Sequence, residues 1–254
     1  MVDAKQRFSN KVENYVRYRP GYPSGVIDLL RAHCGLTPSS SVADIGSGTG
    51  ILTRLFLELG CQVWGVEPNR EMREAGERLL AGFERFSSLD GSAEESGLAD
   101  ACADMVIAGQ AFHWFNPERA RLEFQRILRP GGWVALVWNE RRTESTPFLR
   151  AYEDMLLRHG TDYTLVNHMN VESDPNIIPQ FFGGAYREDV MDNLQMFDFD
   201  GVRGRLLSSS YIPDVDQPGH ALMLAELREI FDRYQEDGKI AFEYDTRVYS
   251  GQLA

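Results

Sequence analysis

An aspartate and three glycines in the stretch VADIGSGTG have the clearest chemical meaning in this sequence. Asp44 precedes Gly46, Gly48 and Gly50, and a helical pattern follows. Glycines at such a turn let a ligand approach the backbone closely. Glu67 ends the next apolar run and stands where a carboxylate can accept hydrogen bonds from both hydroxyls of a ribose. The pattern predicts a site for an adenosine-containing ligand.

Two common nucleotide-binding loops do not match this stretch. A P-loop requires a lysine followed by serine or threonine, whereas the helix here begins with Ile51 and Leu52. The dinucleotide fingerprint GxGxxG requires a glycine at the position of Ile51. The absence of a Tyr-x-x-x-Lys pair also disfavours an NAD(P)-dependent oxidoreductase. That function remains the alternative, because Glu67 suits the ribose of any adenosine cofactor.

The elements that must position these residues follow a regular order. From residue 41 to 138, short β-rich runs alternate with amphipathic helices, which indicates βαβ units around a parallel sheet. In the second of these helices, Met72, Ala75 and Leu79 are predicted to face inward. We expect an α/β, Rossmann-like open sheet of about seven strands with helices on both faces, mostly parallel with the last strand antiparallel.

The chain divides into four predicted parts. Residues 1–40 form an N-terminal helical cap and residues 41–139 the ligand-binding core. Residues 140–185 have little periodicity beyond one helix near Pro147, and we expect a lid or substrate insertion there. Residues 186–254 return to strand and helix patterns and should complete the sheet.

Five motifs together resemble one known family. VADIGSGTG, GVEPNREM, DGSAEESGL, ADMVIAGQAFHWFNPERA and ILRPGGWVALVWN occur in the order found in class I S-adenosylmethionine-dependent methyltransferases. ENYVRYRPGYP and TRVYSGQL are similar to the small-molecule, trans-aconitate methyltransferase-like subgroup. The resemblance implies S-adenosylmethionine as cofactor and methyl transfer to a small-molecule acceptor, with O-methylation of a carboxylate or hydroxyl as the first expectation. A non-catalytic S-adenosylmethionine-binding protein remains a further alternative.

The resemblance also implies a set of cofactor contacts. The methionine part should meet Asp44, Gly46, Ser47 and Gly48. Glu67 should hold the ribose hydroxyls, with Pro68 and Asn69 beside the adenosine. Many relatives contact adenine with an Asp-Ala pair that reads Ser92-Ala93 here, so the backbone N–H of Ala93 is the expected contact. Gln110 and Ala111 should line the methyl-transfer side.

The candidates for catalysis and acceptor binding lie in the loop AFHWF and near the N-terminus. His113 could act as a general base or only orient the loop, and Trp114 and Phe112 could face the sulfonium or belong to the core. Tyr15 and Tyr18 share one helix face. They either cap the cofactor, with Arg19 near a carboxylate, or pack as an ordinary amphipathic helix.

Charged residues further along the chain offer weaker candidates. Arg141, Arg142 and Arg187 are possible anchors for an acidic substrate, because a guanidinium grips a carboxylate with two hydrogen bonds. Solvent exposure is the expected position of each. Glu153 and Asp154 are likewise expected on a solvated face.

Composition sets the remaining expectations. The formal net charge of −12, without a dense basic run, should repel nucleic acids and anionic membranes. Three scattered cysteines without a CxxC indicate free thiols in a reducing, cytoplasmic compartment, and neither they nor the five histidines have metal-ligand spacing. No apolar run is long enough to span a bilayer and none suggests a signal peptide. The pattern leaves the oligomeric state open.

Overall fold

A seven-stranded mixed sheet forms the centre of the molecule. The computed structural model describes residues 16–161, 163, 175–209, 211–213 and 216–254. The strand order is β3-β2-β1-β4-β5-β7-β6. The strands are β1 (Ser41–Ile45), β2 (Gln62–Val66), β3 (Phe86–Leu89), β4 (Ala103–Gly109), β5 (Leu128–Arg141), β6 (Tyr186–Phe197) and β7 (Ile240–Gly251).

Helices cover both faces of this sheet. They are α1 (Gly25–Cys34), α2 (Ile51–Leu59), α3 (Arg70–Leu80), α4 (Pro117–Ile127), α5 (Pro147–His159), α6 (Ile177–Phe182), α7 (Phe199–Leu207) and α8 (Pro218–Tyr234). A 3₁₀ turn spans Phe112–Trp114. Asn69 caps α3 by accepting a hydrogen bond from the Met72 N–H at 3.0 Å, and Asn116 caps α4 ahead of Pro117. In the part of the chain described, no helix has the length and apolar character needed to cross a membrane.

The strand directions bring the predicted site residues to one edge. β1 lies parallel to β2 and β4, and β7 is antiparallel to both β5 and β6. The predicted open α/β sheet with an antiparallel last strand is therefore confirmed. Because parallel strands end at the same edge, the residues that follow β1, β2 and β4 meet there. These residues include Gly46, Glu67 and Gln110.

Three apolar clusters hold the layers together. One packs α4 and α6 on one face of the sheet, with Phe124 and Phe181 fully buried. A second packs α1 and α2 on the opposite face around Phe56. The third joins α5, α7 and α8 to β7 around Tyr152 and Phe242, beyond the carboxyl end of β5. The division of the chain into cap, core, insertion and C-terminal part stays a prediction.

One inward position in α3 was predicted wrongly. Leu79 is 48% exposed, whereas Leu80 is 1% exposed. A Cβ built on Gly50 would lie only 2.5 Å from Leu80 Cδ1. Leu80 therefore fills the space between the end of α3 and the glycine loop, and no room remains there for Leu79.

Candidate functional site

A pocket opens beyond the carboxyl ends of β1 and β4. Its walls include four predicted contact residues, Asp44, Gly46, Ser47 and Gly48, together with Gln110 from the end of β4. Arg19, Pro20 and Tyr22 close one side, and Ile51 and Leu52 form the floor at the start of α2. The residues predicted to surround a methionine tail thus do come together.

The three glycines of the loop require backbone conformations that other residues rarely adopt. Gly46, Gly48 and Gly50 have φ values of 70°, 56° and 82°. A Cβ on Gly46 would lie 2.6 Å from the Ala111 Cβ, which places Ala111 against the loop; its predicted role on the methyl-transfer side stays a prediction. The loop can therefore present bare backbone to a ligand.

Asp44 places a buried carboxylate in the wall of this pocket. Its side chain is fully buried, and Oδ2 accepts a hydrogen bond from Thr53 Oγ1 at 2.5 Å. Oδ1 has no partner among the described residues. Burial raises the pKa of Asp44 to about 7, against the opposing effect of the Thr53 hydrogen bond. An unpaired buried oxygen of this kind favours a cationic group such as an ammonium.

Glu67 connects the end of β2 to the glycine loop. Its Oε2 accepts the Gly48 N–H and its Oε1 accepts the Asn69 N–H, each at 2.8 Å. Burial raises the pKa of Glu67, and these two backbone hydrogen bonds oppose that shift. A carboxylate offers about four acceptor positions, so two remain for a pair of hydroxyl groups.

The residues predicted to contact the adenosine follow β2 and β3, the two strands at the edge of the sheet. Pro68 is half-buried and Asn69 is buried at the start of α3. Ser92 Oγ accepts the N–H groups of Glu94 and Glu95 at 3.3 and 3.2 Å, so this hydroxyl serves its own turn. Ala93 is buried beside it. The role of Ser92 and Ala93 towards adenine stays a prediction.

Gln110 is held in a strained conformation at the end of β4. Its φ is 53°, in the left-handed region that non-glycine residues avoid. The side chain accepts the Asn139 N–H at 3.2 Å, and its Nε2 donates to the Asn139 carbonyl at 3.1 Å. These two bonds fix Gln110 against β5. Backbone strain that is compensated in this way is common at functional sites.

His113 lies close to Arg19 beside the pocket. Burial, and secondly the positive charge of Arg19, lower the pKa of His113 to about 4. Its Nδ1 is buried and has no hydrogen-bond partner in the described ranges. The imidazole is therefore neutral at pH 7 and binds a proton only weakly. Its proposed role as a base stays untested.

The aromatic candidates separate into core and pocket edge. Phe112 is 1% exposed and packs against Phe181 and Trp138, so its interpretation as a core residue is confirmed. Trp114 is half-buried with its ring centre 4.9 Å from that of His113.

The segment before α1 is fixed to the C-terminal half of the chain. Tyr18 packs so closely on α7 that a Cβ on Gly204 would lie 2.0 Å from its ring. Arg19 Nη2 donates to the Ser208 carbonyl at 3.1 Å. The segment thereby covers the pocket from the side of α7. Tyr15 lies outside the described residues.

Two expectations of solvent exposure were wrong. The Arg141 side chain is only 10% exposed and pairs with Glu153, which is 17% exposed. α5 carries Glu153 and lies over Arg141, because Tyr152 and Phe148 of that helix pack on Phe242 of β7. Arg142 and Arg187 are more open, at 33% and 53%.

Several residues at the site were missed at the level of sequence. Thr53 supports Asp44, and Arg73 donates to the Glu67 carbonyl at 2.8 Å. Gly76 lets α3 approach the loop, since a Cβ there would lie 3.3 Å from the Gly48 carbonyl oxygen. A polar residue on the inward face of α2 and a glycine inside α3 are signals that could have identified Thr53 and Gly76.

Comparisons with known proteins agree with this geometry. Residues 43–136 match the family model described as a methyltransferase domain. An uncharacterized methyltransferase of Mycobacterium tuberculosis is 39% identical over 158 residues, which cover 62% of each chain. A Saccharomyces cerevisiae protein, named as a probable S-adenosylmethionine-dependent methyltransferase, is 33% identical over 128 residues, 48% of this chain and 43% of that protein.

A solved structure supports the fold over nearly the whole chain. It is assigned as a type II methyltransferase from Anaeromyxobacter dehalogenans and superposes with a TM-score of 0.65 at 20% identity. The superposition covers 93% of this chain and 98% of that one. The match of residues 43–136 to a methyltransferase domain favours methyl transfer over the oxidoreductase alternative.

The residues present fit S-adenosylmethionine as the cofactor. Asp44 Oδ1 offers an acceptor for the α-ammonium group, and Arg19 with the N-terminus of α2 suits the carboxylate. Glu67 retains acceptor positions for the ribose. Residues 43–136 therefore match a methyltransferase domain, and the pocket they form suits S-adenosylmethionine.

Proposed function

We propose that this protein methylates an oxygen atom of a small-molecule acceptor, either a carboxylate or a hydroxyl. The observation that carries the proposal is the pocket at the ends of β1 and β4, where Asp44 presents an unpaired buried carboxylate oxygen beside the glycine loop. When bound, S-adenosylmethionine supplies a methyl group activated by its sulfonium centre. The protein has to bind the cofactor, orient the acceptor and exclude water.

The cover over the pocket favours a small acceptor over a macromolecule. The Gly21 carbonyl accepts hydrogen bonds from Asn139 Nδ2 at 3.1 Å and from Asn193 Nδ2 at 2.8 Å. These bonds hold the segment 19–22 across the ends of β5 and β6. The net charge of −12 further disfavours a nucleic-acid acceptor.

The environment of His113 favours an acceptor that needs no strong base. A carboxylate is ionised at pH 7 and can attack a methyl group without losing a proton, whereas an alcohol benefits from proton removal. With a pKa lowered to about 4, His113 is a weak base. We therefore infer that it positions the acceptor through its ring nitrogens, and that a carboxylate is the preferred nucleophile.

The proposal is tested with S-adenosylmethionine carrying a tritiated methyl group and a panel of small carboxylic acids, alcohols, phenols, amines and thiols. Mild alkali hydrolyses a methyl ester and releases labelled methanol, whereas a methyl ether retains its label. We expect alkali-labile product with the native protein and at least tenfold less with Glu67→Ala. Label that remains in an N- or S-methyl group would contradict O-methylation. Cofactor binding without product across the panel would favour the non-catalytic alternative.

A further inference from the structure

Two arginines lie buried near the cofactor pocket, and only one of them, Arg141, pairs with a carboxylate among the described residues. Arg205 of α7 is 7% exposed, and the Arg141 side chain at the end of β5 is 10% exposed. With Tyr152, Glu153 and Tyr244 they form what we name the arginine cluster. Its charged members are two cations and one anion, so the described part of the cluster carries one positive charge in excess.

Arg205 has only neutral partners within the described residues. Its Nε donates to Tyr244 Oη and its Nη1 to Ser209 Oγ, each at 3.2 Å. Burying an ionised group without a counter-charge is costly, and arginine does not lose its proton to escape that cost. A bound anion would offset this cost, because it would supply the missing counter-charge.

Arg141 and Tyr152 each present an unused polar atom at the same place. Arg141 Nη2 pairs with Glu153 and also donates to Tyr163 Oη at 3.0 Å. Arg141 Nη1 and Tyr152 Oη are buried and have no hydrogen-bond partner in the parts of the chain described. The guanidinium carbon of Arg141 lies 5.1 Å from the Tyr152 ring centre. Burial raises the pKa of Tyr152, which keeps its hydroxyl proton available for donation.

The arginine cluster adjoins the pocket through two strands and one loop. Arg141 is opposite Tyr244 in the β5–β7 register, so their side chains share one face of the sheet. Arg141 is also only two residues from Asn139. The backbone of Asn139 forms two hydrogen bonds with the side chain of Gln110, which lines the pocket. From the other side, Arg19 of the pocket wall contacts the carbonyl of Ser208, next to Ser209.

We propose that the arginine cluster binds a carboxylate of the methyl acceptor, distinct from the oxygen that receives the methyl group. One carboxylate neutralises the excess charge and accepts hydrogen bonds from Arg141 Nη1 and Tyr152 Oη. The position of the cluster then directs the rest of the acceptor towards Gln110. The identification of the bound molecule as the acceptor rests on the proposed function, whereas binding of a carboxylate at the cluster does not.

The test uses the thermal stability of the protein saturated with S-adenosylhomocysteine. Succinate, glutarate and benzoate are added at constant ionic strength, with succinamide, glutaramide and benzamide as uncharged controls. We expect at least one carboxylate to raise the Tm by a few degrees, roughly 2–5 °C near saturation, and its amide to leave the Tm unchanged.

Three variants locate the binding. Tyr152→Phe removes only the unpaired hydroxyl, and Arg141→Gln removes the guanidinium, so the carboxylate-dependent rise in Tm should be lost in both. Arg142→Gln is the matched control, because Arg142 pairs with Asp192 and Asp245 outside the cluster and should keep the rise. No rise with any of the carboxylates in the native protein would overturn the proposal, as would a rise that survives both cluster variants. Failure of methyl transfer would instead count against the proposed function, because this readout does not depend on turnover.

Discussion

Asp44 is the residue whose ionisation should be most visible in cofactor binding. Its pKa is raised to about 7 by burial, so it is largely protonated below that pH in the free protein. A cationic ammonium group at Oδ1 favours the ionised form. We therefore expect the affinity for S-adenosylhomocysteine to fall as the pH is lowered from 8 to 5.5, by up to about tenfold per pH unit below 7.

Calorimetric titrations across this pH range measure the effect. Asp44→Asn should bind more weakly at pH 8 and should lose most of the pH dependence. His113 does not titrate in this range, because its pKa is lowered to about 4. Equal pH slopes for the native protein and Asp44→Asn would show that another group is responsible.

The environment of a residue could be predicted from the sequence only where the residues that position it are close to it in the chain. The positions of Asp44 and Glu67 could be predicted because Asp44 lies near the end of β1 and Glu67 directly follows β2, at the edge where these parallel strands end. The environment of Arg205 could not, because its partner Tyr244 is 39 residues away and joins it only in the folded chain. The pair Arg141-Arg142 looks uniformly solvent-exposed in sequence, yet α5 buries the first residue and leaves the second partly open.

At the level of elements, the junction of β4 and β5 is the feature that most directly shapes the pocket. Gln110 occupies the left-handed region and is held there by two hydrogen bonds to the Asn139 backbone. In Gln110→Ala both bonds are lost and the strained backbone remains, which should lower the free energy of unfolding by roughly 1–3 kcal/mol. Gln110→Gly loses the same bonds but relieves the strain, so its loss should be smaller.

Urea denaturation of the two variants compares their free energies of unfolding. The order native, then glycine, then alanine is the expected result. An alanine variant as stable as the native protein, or more stable than the glycine variant, would mean that Gln110 stores no backbone strain at this junction.

Periodicity predicted the order of elements well and their ends less well. The strand and helix patterns predicted for residues 186–254 include β7, in which alternate residues are buried, namely Phe242, Tyr244, Thr246 and Val248. The same method misplaced Leu79, because at the end of α3 the available space is set by Gly50 of another element. Helical spacing cannot encode such a contact.

At the scale of the whole molecule, one half of the sheet supports the cofactor pocket and the other half supports the arginine cluster, where we propose that the acceptor binds. β1 to β4 position the glycine loop, Glu67 and Gln110, whereas β6 and β7 pack with α5, α7 and α8 around the arginine cluster. The sequence pattern predicted both halves of the sheet. It did not indicate that residues from 141 to 244 converge on one buried cluster, since contacts such as Arg205–Tyr244 join residues far apart in the chain.

The charge of the whole chain and the charge of the arginine cluster have opposite signs. The chain is acidic overall, with a net charge of −12, yet the arginine cluster carries an excess positive charge in its interior. A local field of this sign attracts a small anion although the surface as a whole repels large ones. The net charge of the sequence therefore indicates which large anionic partners are repelled, but it does not indicate the local attraction of a small anion.

Calorimetric titration of the native protein with S-adenosylmethionine, and separately with NAD, tests the central claim most directly. That claim is that the glycine loop, Asp44 and Glu67 bind S-adenosylmethionine. We predict binding of S-adenosylmethionine with 1:1 stoichiometry, no detectable binding of NAD, and at least tenfold weaker binding of S-adenosylmethionine by Glu67→Ala. Binding of NAD without binding of S-adenosylmethionine, or an unchanged affinity in Glu67→Ala, would contradict the account.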